Sequence, residues 1–227
     1  MARAAIFDID GTLIDSVDLH ARAWQEAFAH FGIHASSAEV RSQIGKGGDQ
    51  LIPHFLTEEQ NRKLGKQLDE YRSALYKREY LSRARAFPKV RELFLALRDR
   101  GLKLALASSA KKDEIEHYKK LARIEDLVEA ETSADDAERS KPHPDIFEAA
   151  LQRLGRPDPT QVVVVGDSPY DAEAAAKLEL RTIGFLCGGF PEDQLRAAGC
   201  AQIFRDPADL LAHLDSSLLA RQNGGAR

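Results

Sequence analysis

The stretch Ala4-Ala5-Ile6-Phe7-Asp8-Ile9-Asp10-Gly11-Thr12-Leu13 decides how the chain is read. A short apolar run ends abruptly in two carboxylates two positions apart, then a glycine that lets the backbone turn. In an extended strand, residues i and i+2 share a face, so Asp8 and Asp10 converge just past the strand's carboxyl end. Open parallel sheets place their chemistry there. Taken alone, the pair reads equally well as two solvated turn residues, and the rest of the chain has to separate a turn from a site.

Working outward, Val17 to Phe31 carries Val17, Ala21, Trp24, Ala27, Phe28 and Phe31 at helical spacing, with Gly32 as the stop. Ser37 to Phe55 holds two shorter helical patterns around Gly45-Lys46-Gly47-Gly48. Thr57 stands as an N-cap for a helix whose positions Leu64, Leu68, Tyr71, Leu75 and Tyr80 carry it to Leu81. Residues 16–86 therefore read as an all-helical block. From Pro88 the texture changes to alternation. The helix Lys89 to Arg100 precedes the strand Leu102 to Ala107, and a helix from Lys111 to Leu121 leads to the apolar patch Leu127-Val128 and a polar loop, Thr132 to Ser140. After a helix from Pro144 to Leu154, the run Val162-Val163-Val164-Val165 has the signature of a parallel strand covered on both faces. The pattern closes with a helix Pro169 to Leu178, a strand Arg181 to Leu186, a helix near Glu192 to Ala198, a strand Gln202 to Phe204 and a helix from Pro207 to Ala220. The class is α/β, a doubly wound parallel sheet with right-handed crossovers. Residues 1–15 and 87–227 form its core, and the helical cap 16–86 is inserted after the first strand.

The 227 residues, 43% hydrophobic and 30% charged, suffice for a real core. A net charge of -4 argues against nucleic acid or an anionic membrane as partner. No apolar run approaches the roughly 18 residues of a membrane span, and none precedes Asp8 that would make a secretory signal. The expected location is cytoplasmic. Cys187 and Cys200 make neither a disulfide framework nor a metal spacing and are expected to be reduced. The tail Gln222 to Arg227, with Gly224-Gly225, reads as mobile. Monomer and homodimer both stay open.

Three strand ends carry polar residues: Asp8 and Asp10, then Ser108 and Ser109, then Asp167 with Asp171. Each has a structural explanation alone. Ser108 or Ser109 caps the following helix; Ser168, Pro169 and Asp171 make a near capping box; Lys141 is a solvated loop lysine. Together they make a site, because a carboxylate cluster offers the hard oxygen ligands that suit Mg2+. Ser108 and Lys141 add the hydroxyl and the positive charge that a phosphate needs.

The ordered set Asp8-Ile9-Asp10-Gly11-Thr12-Leu13, Leu106-Ala107-Ser108-Ser109, Lys141-Pro142 and Gly166-Asp167-Ser168-Pro169-Tyr170-Asp171 resembles the four motifs of the haloacid dehalogenase superfamily. The helical insert is similar to the cap of its phosphoglycolate phosphatase and β-phosphoglucomutase branch. The resemblance implies a Mg2+-dependent phosphatase of a small phosphorylated metabolite, a sugar phosphate or a phosphoglycolate-like ester. Asp8 would be the nucleophile that becomes an aspartyl-phosphate, Asp10 the acid and base, and Ser108 and Lys141 the phosphoryl clamp. Asp8, the Asp10 main-chain carbonyl and Asp167 would hold the metal, with Asp171 behind them. Thr12 and Ser109 would stand beside the substrate. The founding dehalogenases resemble this chain yet lack the acid/base aspartate, which speaks against that activity. From the cap, His20 and Lys46 are candidate substrate contacts, the alternatives being a half-buried polar residue and a plain turn. His20 also speaks for a β-phosphoglucomutase-like isomerase, whereas Gly-Asp-Ser-Pro-Tyr-Asp resembles the phosphatase form. An idle binding protein on this fold is the third reading.

Overall fold

The Ala4–Phe7 segment forms the first strand, β1, and everything in the core is arranged on either side of it. A computed structural model describes residues 2–220; the tail expected to be mobile, Gln222 to Arg227, lies outside the described residues. In chain order, β1 is followed by β2 (Ile14–Asp15), α1 (Val17–His30), α2 (Ser37–Gln43), α3 (Gly48–Phe55), α4 (Glu58–Leu75) and β3 (Arg85–Ala86). Then come α5 (Val90–Asp99), β4 (Lys103–Ala107), α6 (Lys112–Ala122), β5 (Ala130–Thr132), α7 (Asp145–Arg153) and β6 (Val162–Gly166). The chain continues through α8 (Pro169–Ala176), β7 (Arg181–Phe185), α9 (Glu192–Ala197), β8 (Cys200–Phe204) and α10 (Pro207–Ala212).

Six strands pair in parallel in the order β5-β4-β1-β6-β7-β8. The chain steps outward from β1 through β4 to β5, then restarts on the other side of β1 with β6. The strand order thus reverses at β1, and Asp8 follows its last residue. Such a switch point opens a crevice because the two crossover helices leave on opposite faces. β1 and β6 are buried along their whole length, and their residues alternate between two cores. Phe7, Val163 and Val165 pack with α5, α6 and α10, while Ile6, Val162 and Val164 pack with α7 and α8. Both faces being covered explains the uninterrupted valine run.

The helices α1 to α4 have a core of their own around Trp24, Phe28, Val40, Leu51 and Leu68. The antiparallel pair β2 and β3 joins this block to the sheet at both crossings. Thr57 caps α4 through a reciprocal capping box with Gln60.

The structure departs from the sequence reading in three places. The helix expected to reach Leu81 ends at Leu75 and passes into a π-helical turn, Tyr76–Tyr80. The last helix is a short α10 followed by a 3-10 turn, Leu214–Ser216, rather than one helix to Ala220. The edge strand β5 lies where a loop was expected to begin, because only Thr132 of its three residues is fully buried and no apolar run marks it.

Candidate active site

The sheet's carboxyl ends bring Asp8, Ser108, Lys141, Asp167 and Asp171 together as buried polar residues in an apolar surround. Asp8 follows β1, Ser108 follows β4 and Asp167 follows β6. Lys141 comes from the loop before α7 and points inward, only 1% exposed. Its Nζ donates to Asp8 Oδ1 at 2.6 Å and to Asp171 Oδ1 at 2.8 Å. Asp171 in turn accepts from the Ser168 hydroxyl at 2.6 Å and the Ser168 N–H at 3.1 Å. The capping box at the start of α8 therefore exists, and it also orients a carboxylate toward Lys141. Structural and chemical uses of Asp171 coincide in one residue.

Thr12 donates to Asp167 Oδ1 at 2.8 Å. Gly11 (φ 82°) and Gly188 crowd the other Asp167 oxygen, since a Cβ on either would lie 2.3 Å or 1.7 Å from Oδ2. Only glycine lets the backbone pass so close, and at Gly11 the left-handed φ requires it as well.

The charges do not balance among the protein groups. Burial pushes the Asp8 carboxyl up to about 7 despite the pull of Lys141, with Asp171 and Asp10 adding to the rise. Burial also holds Asp167 well above the usual carboxylate range, helped by Asp8 and Asp171. Burial alone would lower Lys141, but Asp171 and Asp8 outweigh it and keep the amine charged. Oxygens of Asp8, Asp167 and Asp171 approach within 4.8 Å of one another. Buried carboxylates this close with a single lysine among them suit a divalent cation, and an all-oxygen donor set suits a hard one.

Asp10 stands apart. It accepts from the Ser16 hydroxyl at 2.6 Å and meets His20 Nε2 at 2.9 Å. Burial would raise this carboxyl, but the His20 ring and the Ser16 hydrogen bond outweigh it and lower it. His20 is itself stacked on Tyr76, centroids 3.9 Å apart and planes 8° from parallel. The Tyr76 hydroxyl meets that of Tyr118 at 2.5 Å. A residue of the first cap helix thus reaches the second aspartate of the opening stretch. Asp8, Asp10, His20, Trp24, Ser108, Ser109 and Lys141 line a common cleft of about 50 Å³ beneath the cap.

Ser108 does not cap α6, whose N-cap is Lys111 without a side-chain bond; its hydroxyl accepts from the Ala110 N–H at 3.0 Å. The Ser109 hydroxyl is buried with no partner among the described residues. Trp24 belongs to the cap core. Lys46 is not brought into the cleft: its Nζ donates to Gln43 Oε1 at 2.6 Å and lies 4.5 Å over the Tyr170 ring. The ring offers the ammonium a local partner brought in from a distant part of the chain. Sequence reasoning passed over Ser16, Tyr76 and Tyr118, which hold Asp10 and His20. Only the i, i+6 spacing of Asp10 and Ser16 across a turn hinted at any of them.

Known proteins resemble this chain over most of its length. A sequence profile described as haloacid dehalogenase-like hydrolase matches residues 5–185. A phosphoglycolate phosphatase from Yersinia pestis is 31% identical over 190 residues, 82% of each chain. A pyrophosphatase PpaX from Oceanobacillus iheyensis is 26% identical over 215 residues, 95% of this chain and 98% of that one. Among solved structures, a hydrolase from Pseudomonas syringae superposes with a TM-score of 0.84 at 32% identity, covering 94% of this chain and 98% of the other. The strand order, the inserted helical block and the similarity over most of the chain lead to one conclusion: the protein belongs to the haloacid dehalogenase-like hydrolase family.

Proposed function

We propose that the protein is a Mg2+-dependent phosphatase that cleaves a small phosphorylated metabolite through an aspartyl-phosphate on Asp8. The observation that carries this reading is the buried chain Asp8, Lys141, Asp171 beside Asp167 at the switch point of the sheet. Names of relatives, a phosphoglycolate phosphatase and a pyrophosphatase, support phosphate chemistry. Asp8 and Asp167 side chains would hold the metal with the Asp10 main-chain carbonyl. Asp171, whose oxygens already serve Lys141 and Ser168, would stand behind them. When bound, the cation supplies charge neutralisation at the phosphoryl oxygens.

In this reading an Asp8 oxygen attacks phosphorus while the bond to the substrate's bridging oxygen breaks. Lys141, 2.6 Å from Asp8, offsets the charge that would otherwise repel an anionic phosphate. Ser108 and Lys141 hold the phosphoryl oxygens. The leaving alkoxide takes a proton from Asp10, whose carboxylate the 2.9 Å contact with His20 then holds in place. Water then attacks phosphorus, gives its proton to Asp10 and releases phosphate, and Asp8 returns to its starting state. The cap excludes bulk water from these steps.

Rapid acid quench of the Mg2+-loaded enzyme with a 32P-labelled phosphomonoester should leave label on the protein. Absence of label at every quench time, with turnover intact, overturns the covalent route. A phosphomutase reading has one observation in its favour, the His20 link between cap and Asp10. Incubation with β-glucose 1-phosphate and a trace of glucose 1,6-bisphosphate separates the two: free phosphate supports the hydrolase, and glucose 6-phosphate supports the mutase.

A further inference from the structure

Neither Tyr76 nor Tyr118 lines the phosphoryl cleft, yet both touch His20, a cap residue that meets Asp10. His20 leaves α1 and is buried, with Nε2 2.9 Å from Asp10 Oδ1. A histidine's second side-chain torsion lies in a broad well, so α1 fixes where the ring begins and not how its plane turns. Tyr76 supplies that constraint. Its fully buried ring lies 3.9 Å from the imidazole with the planes 8° apart. At that spacing the two faces are in van der Waals contact, and turning the imidazole would drive its edge into the tyrosine.

The far end of the Tyr76 ring is pinned in turn from the core. Its hydroxyl meets that of Tyr118, on α6, at 2.5 Å, and the Tyr118 hydroxyl comes within 3.5 Å of His20 Nε2. The three rings close a circle: one from the first cap helix, one from the segment leading back out of the cap, and one from the core. Packing alone would be met by phenylalanine at both tyrosine positions, without two hydroxyls to satisfy inside an apolar cluster. The backbone is unusual at the same point. The sequence spacing predicts an α-helix to Leu81, and the change to a π-helical turn falls on Tyr76 itself. Such turns within helices are frequent at functional sites. This one grips α1 twice, since Tyr80 donates to Glu26.

We infer that Tyr76, backed by Tyr118, is a positioning residue for the acid step: its ring holds the His20 imidazole, which holds the Asp10 carboxyl where the leaving oxygen departs. This rests on the acid role of Asp10 in the phosphatase reading. Misplacing a reacting group by about 1 Å can cost on the order of 10² in rate. Here the loss falls selectively on esters whose leaving oxygen needs the proton.

The test uses the full chain with Mg2+ and two aromatic esters of similar size, p-nitrophenyl phosphate and benzyl phosphate. The p-nitrophenolate leaves as a stable anion, whereas the benzyl alkoxide must be protonated. The quantity read is kcat/KM, which ends with transfer to Asp8, before Asp10 acts as base. Asp10→Asn sets the scale: kcat/KM for benzyl phosphate should fall relative to p-nitrophenyl phosphate by on the order of 10²–10⁴. Tyr76→Leu should lower the same ratio by roughly 10- to 100-fold. Tyr76→Phe and Tyr118→Phe keep the stacked ring and lose only the hydroxyl pair, so each should lower it by about three- to tenfold, the worth of one neutral hydrogen bond. Should Tyr76→Leu not fold, Tyr76→Met, whose flexible chain fills the space without a ring plane, should show the same selective loss. An unchanged ratio in the Leu or Met variant, or a Tyr76→Phe ratio as low as theirs, overturns the inference and leaves the phosphatase reading standing. Equal loss of both esters in Asp10→Asn removes the acid role of Asp10 and the inference with it. Wild type that turns over neither ester removes the phosphatase reading itself.

Discussion

Two neighbouring regions under the same cap handle buried polarity in opposite ways. At the phosphoryl cleft the carboxylates are all partnered: Lys141 bridges Asp8 and Asp171, Ser168 holds Asp171, Thr12 holds Asp167, and Ser16 and His20 hold Asp10. Where α4 and α6 approach each other nearby, Arg72, Ser109 and Glu114 each leave a buried atom without a partner among the described residues. A site that meets the same group at every turnover gains from donors fixed in advance, because reorganisation during the reaction is avoided. The contrast is between a built network and an open one.

The most severe way to break the comparison is to remove the centre of the network. Asp8→Asn is expected to reduce Mg2+-dependent hydrolysis of p-nitrophenyl phosphate by on the order of 10⁴-fold or more, measured as phosphate release; retained turnover sinks the assignment of Asp8 as nucleophile. Lys141→Ala should cost on the order of 10²–10³ in kcat by loss of one stabilising donor. It should also lower stability by about 3–5 kcal/mol, since Asp8 and Asp171 would be left buried without their shared cation. A calorimetric Tm and a kcat both like wild type would remove Lys141 from the network.

The charge imbalance gives a pH test. The folded Asp8 carboxyl titrates at about 7 against an ordinary 3.8, so between those values the folded protein binds a proton that the unfolded chain has released. Stability of the metal-free protein contributed by this group therefore falls as pH rises from about 4 to about 7, by on the order of a few kcal/mol. Asp8→Asn lacks this loss, so its stability advantage over wild type should grow across that window and level off above it. Saturating Mg2+ should shrink the advantage by favouring the ionised Asp8. Chemical denaturation of both proteins at several pH values checks this, and a pH-independent difference refutes it.

The smallest effect belongs to the open region. Burial raises the Glu114 carboxyl above its ordinary 4.5, against the pull of His20 and Arg72. Its contribution too is lost as pH rises through that value. Glu114→Gln should thus gain stability relative to wild type as pH rises above the ordinary 4.5, by roughly 1–3 kcal/mol, the cost of an unpartnered buried group. Tm across this range measures it. A variant that loses stability instead would mean that Glu114 has a partner and that the two regions do not differ.

Much of the cleft was legible in the sequence because its residues sit at strand ends, where an apolar run stops and a polar residue begins. Asp8 after Phe7, Ser108 after Ala107 and Asp167 after Gly166 are visible that way, and the buried parallel sheet follows from the valine run. Asp171 was ambiguous between a cap and a site, and the structure shows that the capping geometry itself turns the carboxylate toward Lys141. The edge strand β5 was missed because Ala130-Glu131-Thr132 is short and mostly half-exposed, so it carries no periodic signal. Lys46, prominent among glycines, turned out to rest on Tyr170.

Sequence by itself determined the α/β class, the inserted helical block and the carboxylates at the strand ends, because hydrophobic period and strand termination are local properties. Tertiary structure alone decided the burial of Glu114 and of the Arg72 Nε. Glu114 reads as an ordinary acidic residue in the first turn of a helix, and Arg72 as a charge on the Leu68 face of α4 with no visible partner across it. Glu114 and the Arg72 Nε are buried only because cap and core meet there, and which distant segment covers a helix face is not written in the helix itself.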